Sequence, residues 1–163
     1  MKRAKSPHAP LAPQVWRRTP ALERWTCHVA CGGIIATGVL LHVMKDWMAP
    51  PDEFSVVNHP LQPTMLHGHV LLAPLFMLAI GMLLRRHILP RALDPASTRG
   101  RRSGLAALGL LAPMIASGYL LQVMTNERTL LVLKWSHVIS GVAFTLVYAS
   151  HVVATLRRIP RVD

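Results

Sequence analysis

The stretch Leu131–Leu156, LVLKWSHVISGVAFTLVYASHVVATL, carries two histidines, His137 and His151, in an otherwise almost wholly apolar run. Such a run, as a helix, is long enough to cross a hydrocarbon core of roughly 30 Å. Fourteen residues separate the two imidazoles, which is about 21 Å of helical rise and within about 40° of a whole number of turns. One helix therefore presents both rings on nearly one side, one near each membrane surface. Gly141, Phe144 and Tyr148 fall on the stripe between them. Ionisable side chains inside a membrane helix are costly and point to function. Two at this spacing predict two stacked cofactors.

The rest of the chain has the same character. Of its 163 residues 52% are hydrophobic and 15% charged, and the apolar residues gather in runs of membrane-crossing length. Four spans are predicted, at about 25–44, 65–84, 104–124 and 131–156. The 18 Lys and Arg residues alternate from loop to loop. Six precede the first span (Lys2, Arg3, Lys5, Arg17, Arg18, Arg24) and six lie between the second and third (Arg85, Arg86, Arg91, Arg99, Arg101, Arg102). Three more follow the last span (Arg157, Arg158, Arg161), leaving Lys45, Arg128 and Lys134 for the other side. This positive-inside pattern predicts an all-α integral membrane four-helix bundle with both termini cytoplasmic. Residues 1–24 read as a basic, Pro-rich cytoplasmic tail, 25–156 as the membrane domain and 157–163 as a short basic tail. The tail has no apolar h-region and so does not read as a cleaved signal peptide. The net charge of +11 is expected to meet anionic lipid rather than nucleic acid.

Span one adds His28 and His42, again fourteen apart, with Gly32 four residues after the first and Gly38 four before the second. Missing side chains at those glycines would let a flat macrocycle lie against the helix. Cys27 and Cys31 lack the spacing of covalent haem attachment, so any haem is expected to be b-type and the cysteines to be packing residues. The loop 49–63, with four prolines, is expected outside. Span two opens with Leu66-His67-Gly68-His69 and contains Pro74, a candidate kink. His67 and His69 point to different faces of a helix and cannot share one ligand. His87 reads as a solvated residue of a basic loop, and residues 88–103 as that loop. Span three has no histidine and reads as a packing helix. No internal repeat stands out.

Topology pairs the histidines. Span one runs outward and spans two and four inward, so His28 and His151 are inner, while His42, His67 and His137 are outer. His28 with His151, and His137 with either His67 or His42, would each supply one imidazole above and one below a ring, which is what bis-His haem iron requires. Arg24, Arg157 and Arg158 inside and Lys45 and Lys134 outside would balance haem propionates. A metal without porphyrin fits less well, since each helix holds its ligands far apart. A proton-coupled carrier would want acidic groups in mid-membrane, and the predicted spans contain none.

These residues resemble the di-haem cytochrome b subunits of prokaryotic formate dehydrogenase and nickel–iron hydrogenase, and the small bacterial b-type cytochromes related to them. The resemblance covers nearly all of residues 25–156. It rests on His28 followed by small residues to Thr37-Gly38, on His67 at the start of helix two, and on His137 and His151 fourteen apart in helix four. It implies two non-covalent b-type haems, one held by His28 and His151 and the other by His67 and His137. His42 and His69 are extra to the pattern, and His42 remains an alternative outer ligand. The implied function is transmembrane electron transfer between quinone or quinol and a redox protein or dehydrogenase subunit, in a bacterial inner membrane. The chain would then be an electron-transfer subunit of an oxidoreductase rather than a stand-alone enzyme. The polar residues Gln122, Glu127 and Arg128 could form a quinone site, although an ordinary loop accounts for them better. The alternative is a non-redox four-helix membrane scaffold or assembly subunit with structural histidines.

Overall fold

Four helices long and apolar enough to cross a membrane form in the computed structural model, which describes residues 20–93 and 101–156. Helix α1 runs Ala21–Asp46 and α2 runs Gln62–Leu83. A π-helical turn, Leu84–Ile88, carries α2 on into the short α3, Leu89–Leu93. Helix α4 runs Arg101–Leu120 and α5 Glu127–Leu156. Among the described residues there are no strands. Large apolar side chains face outward all along the helices, Leu71, Leu78, Val142 and Leu146 among them. A soluble protein would cover them; a helix in lipid has no reason to.

Local chemistry sets the helix ends. Helix α5 begins four residues earlier than its apolar run because Asn126 caps it, its Oδ1 accepting the Thr129 amide at 3.1 Å, with Glu127 in the first turn. Helix α4 stops at Leu120, short of the predicted 124, in a tightened turn where the amides of Gln122 and Val123 reach three residues back. The side chain of Gln122 donates to the Gly118 carbonyl at 3.2 Å. Both ends are polar decisions inside a boundary that hydropathy blurs. Helical structure continues through Pro74 and Pro113, as membrane helices tolerate. The second span also continues to Leu93 where a loop was expected over 88–103; residues 101–103 of that expected loop already belong to α4, and 94–100 lie outside the described residues. The π turn lies just before Pro90, which has no N–H to offer the preceding turn.

The helices associate as two hairpins. Close backbone approach occurs mainly within α1–α2 and within α4–α5. Between hairpins the contacts are made by side chains. Phe76 of α2 meets Phe144 of α5 edge to face at 5.7 Å between centroids, inside a core that includes Cys27, Ala30, Cys31, Ala79 and Leu111. At one end, Asp46 of α1 pairs with Lys134 of α5. At the other, basic end, Glu23 takes Arg86 at 2.7 Å, tying α1 to the π turn.

The two hairpins are related to one another. Ile35-Ala36-Thr37-Gly38-Val39-Leu40-Leu41-His42-Val43-Met44 of α1 recurs 80 residues later as Ile115-Ala116-Ser117-Gly118-Tyr119-Leu120-Leu121-Gln122-Val123-Met124, identical at seven of ten positions. On the second helices the offset is 68: His69-Val70 answers His137-Val138, and Phe76 answers Phe144. This corrects the expectation of no internal repeat. The different offsets, caused by unequal loops, hide the match from any search at one period.

Candidate functional site

The repeat converges on two histidines. The ring of His69 on α2 and the ring of His137 on α5 lie 6.1 Å apart between centroids, with their planes at 89°. Each is backed by the first helix of its own hairpin, and the two supports correspond residue for residue. His69 Nδ1 lies 3.0 Å from Thr37 Oγ1, with the Ile34 carbonyl adjacent. His137 Nδ1 lies 2.9 Å from the Met114 carbonyl and 3.3 Å from Ser117 Oγ. A carbonyl only accepts, so His137 Nδ1 carries the proton. Thr37 donates its hydroxyl proton to the Gly33 carbonyl at 2.8 Å, so its oxygen is free to accept from His69 Nδ1. In both rings Nε2 is left as the nitrogen with a lone pair.

Glycine makes room for these rings. A Cβ at Gly38 would stand 2.9 Å from Cε1 of His69, and one at Gly118 would stand 2.8 Å from Cε1 of His137. The space expected at Gly38 for a macrocycle is therefore filled by an imidazole. Gly32, by contrast, faces open space.

The sequence predicts His67, or alternatively His42, as the outer partner of His137. The imidazole that the structure brings to His137 belongs to His69, while His67 is exposed. His42 Nδ1 lies 2.9 Å from Asp46 Oδ2 within its own helix, and Asp46 in turn holds Lys134. Asp46 and Lys134 form a charged clasp between the hairpins, with His42 beside it. Lys134, expected near a propionate, is committed to that clasp and lies over the Trp135 ring. Gln122, considered for a quinone site, caps α4 instead, and Glu127 opens α5.

Nearer the basic end, His28 Nδ1 lies 2.5 Å from the Tyr148 hydroxyl of α5. Its ring neighbours are Trp25 and Tyr148, at 6.2 and 6.1 Å. Tyr148 stacks on Phe144 and precedes His151 by three residues, so this contact brings α1 to the level of His151. His151 Nδ1 lies 3.0 Å from Ser103 Oγ of α4. His28, His69, His137 and His151 thus all engage Nδ1 with an oxygen. His87 differs, meeting Arg91 through Nε2 at 3.2 Å. Cys27 and Cys31 are buried, with sulfurs 3.8 Å apart, and pack as expected. Arg157 and Arg158 lie outside the described residues.

The separation of the two rings suits a group that takes one nitrogen ligand from each. A metal–imidazole bond of about 2 Å, plus roughly 1 Å from nitrogen to ring centre, sets two imidazoles on opposite sides of one metal roughly 6 Å apart; His69 and His137 have that spacing. Among the described residues, no three His, Cys, Asp or Glu side chains converge as a bare metal site would require. His69 escaped the sequence reading because His67 and His69 look alike in isolation. The shared His-Val dipeptide and the Ile-Ala-(Thr/Ser)-Gly repeat would have chosen between them. The chain matches no family model, no curated protein and no solved structure, so this reading stands on the geometry of its own residues.

Proposed function

We propose that this protein is a membrane b-type cytochrome that carries electrons across the bilayer between a quinone or quinol and a redox partner protein. The observation that carries the reading is the His69–His137 pair, two imidazoles from different hairpins at metal-bridging separation, with both Nδ1 atoms already engaged. Fixing Nδ1 this way selects the tautomer and orients the ring, as seen around metal-bound histidines. A haem would be held there by His69 and His137 and would supply one-electron transfer.

The remaining work is done by the chain. Gly38 and Gly118 let the imidazoles seat deeply against α1 and α4. Phe76 and Phe144 pack the hairpins together just beyond the pair and exclude water from the space between. The clasp of Asp46 and Lys134 closes the opposite side. A second haem would be held by His28 and His151, whose Nδ1 atoms lie 2.5 Å from the Tyr148 hydroxyl and 3.0 Å from Ser103 Oγ. The loop-by-loop distribution of basic residues supports cytoplasmic termini in a bacterial inner membrane, with His28 and His151 on the cytoplasmic side. The ligand assignment agrees with the di-haem cytochrome b resemblance except that His69 replaces His67.

A one-haem reading is favoured by one observation: the ring neighbours of His28 are Trp25 and Tyr148, so its bond to Tyr148 can serve helix packing alone. A dithionite-reduced minus oxidised spectrum of the purified protein, with haem quantified per chain, separates the readings. Two b-type haems are expected, falling to one in His69→Ala and in His28→Ala, and unchanged in His67→Ala. One haem in the unaltered chain would favour the single-site reading. None, after expression with ample haem, would leave a scaffold with structural histidines.

A further inference from the structure

The repeated motif has a feature that ligation alone does not need. The site requires His69 and His137; it has no evident requirement that each imidazole be met by a hydroxyl. Yet Thr37 and Ser117 occupy equivalent positions in the two hairpins, each one residue before the glycine that admits the ring. Each hydroxyl bonds the carbonyl four residues back, Thr37 to Gly33 at 2.8 Å and Ser117 to Pro113 at 2.6 Å. That bond turns the hydroxyl oxygen into a fixed acceptor, which then faces the Nδ1 of the imidazole packed on the glycine, at 3.0 Å for His69 and at 3.3 Å for His137, whose Nδ1–H also meets the Met114 carbonyl at 2.9 Å. In the membrane interior such a bond has no water to replace it. The ring planes that result stand at 89° to each other.

We propose that Thr37 and Ser117 are matched positioning residues, which set the orientation and the basicity of the two imidazoles, His69 and His137, that would hold the haem. This proposal rests on the haem reading given above. A hydroxyl accepting from Nδ1–H makes the imidazole a stronger donor through Nε2 and so favours oxidised iron. It also stops the ring turning about its bond to the rest of the side chain. Two imidazoles locked perpendicular give a strongly anisotropic low-spin ferric signal, whereas parallel rings give a rhombic one; the distinction is readable by electron paramagnetic resonance. Because both halves of the repeat carry the device, removing either hydroxyl affects the same haem.

The test uses the purified, haem-loaded full chain carrying Thr37→Val, Ser117→Ala, both together, or the conservative exchanges Thr37→Ser and Ser117→Thr. Valine keeps the shape of threonine, and alanine removes one atom from serine, so haem content is expected to hold. The midpoint potential of this haem is expected to move positive in each single variant and further in the double variant, with loss of the strongly anisotropic ferric signal. The hydroxyl-retaining exchanges are expected to keep the original potential and signal. Loss of this haem in Thr37→Val, restored by Thr37→Ser, likewise supports the hydroxyl role. An unshifted potential and signal in the double variant, or the same shift in Thr37→Ser as in Thr37→Val, would overturn it. His69→Ala separates the two levels. If that variant keeps its full haem content, the site reading itself falls; if it loses one haem while the hydroxyl variants are silent, only the positioning role falls.

Discussion

At the scale of single residues, the site depends on what is missing as much as on what is present. Gly38 and Gly118 each lie where a methyl group would press into an imidazole, at 2.9 and 2.8 Å. A ring held at Nδ1 by a bond across to another helix cannot retreat without breaking it. Gly38→Ala and Gly118→Ala are therefore each expected to cost the protein one haem while leaving its helical circular dichroism unchanged. Retention of full haem in both would show that the rings have room the geometry denies them. Removal of His42 is expected to leave haem content intact, because its Nδ1 lies against Asp46 rather than facing the other hairpin.

At the scale of elements, helix ends and inter-hairpin contacts can be tested separately. Asn126 caps α5 through the Thr129 amide and also takes the Thr129 hydroxyl at 3.1 Å. Asn126→Ala is expected to lower stability by about 1 kcal/mol, read as a shift in unfolding midpoint, with haem content unaffected. Across the hairpins, Phe144→Leu keeps an apolar side chain but loses the edge-to-face contact with Phe76. A loss of about 0.5–1.5 kcal/mol is expected, and it should shrink sharply when Phe76 is already leucine. Equal losses in both backgrounds would mean that the two rings do not interact energetically.

The whole molecule is two similar hairpins that form a site only together. Each supplies one histidine, one hydroxyl, one glycine and one phenylalanine, and the His69–His137 pair forms only between them. The clasp between Asp46 and Lys134 is the charged link between hairpins at the end opposite the basic one. Both side chains are partly exposed, so Asp46→Asn is expected to cost only about 0.2–1 kcal/mol. That cost should fade as salt is raised toward about 1 M, where the Debye length falls to about 3 Å. A salt-independent cost would place the pair in a drier setting than its exposure indicates. Reporter fusions at either terminus address the orientation, and cytoplasmic signals from both are expected.

What the sequence determined by itself was the membrane architecture. Runs of apolar residues near 20 long leave a chain few choices, since a backbone in lipid must satisfy its own hydrogen bonds within a helix. The helical period then placed His137 and His151 on one stripe with Phe144 and Tyr148 without any tertiary information. The tertiary structure decided which histidine meets which. His67 and His69 differ by two residues, and hydropathy cannot say which of two faces of α2 turns toward α5. Steric fit decides it: the imidazole of His69 occupies the hollow at Gly38 and reaches Thr37, while His67 is left exposed. The same packing set His42 beside Asp46, which holds Lys134, rather than beside His137. The repeat was present in the sequence throughout, split between offsets of 80 and 68 residues by unequal loops. Only when His69 faced His137, and Phe76 faced Phe144, did the two offsets become one relation. Pairing is a property of surfaces brought together, and a linear pattern specifies each surface without specifying its partner.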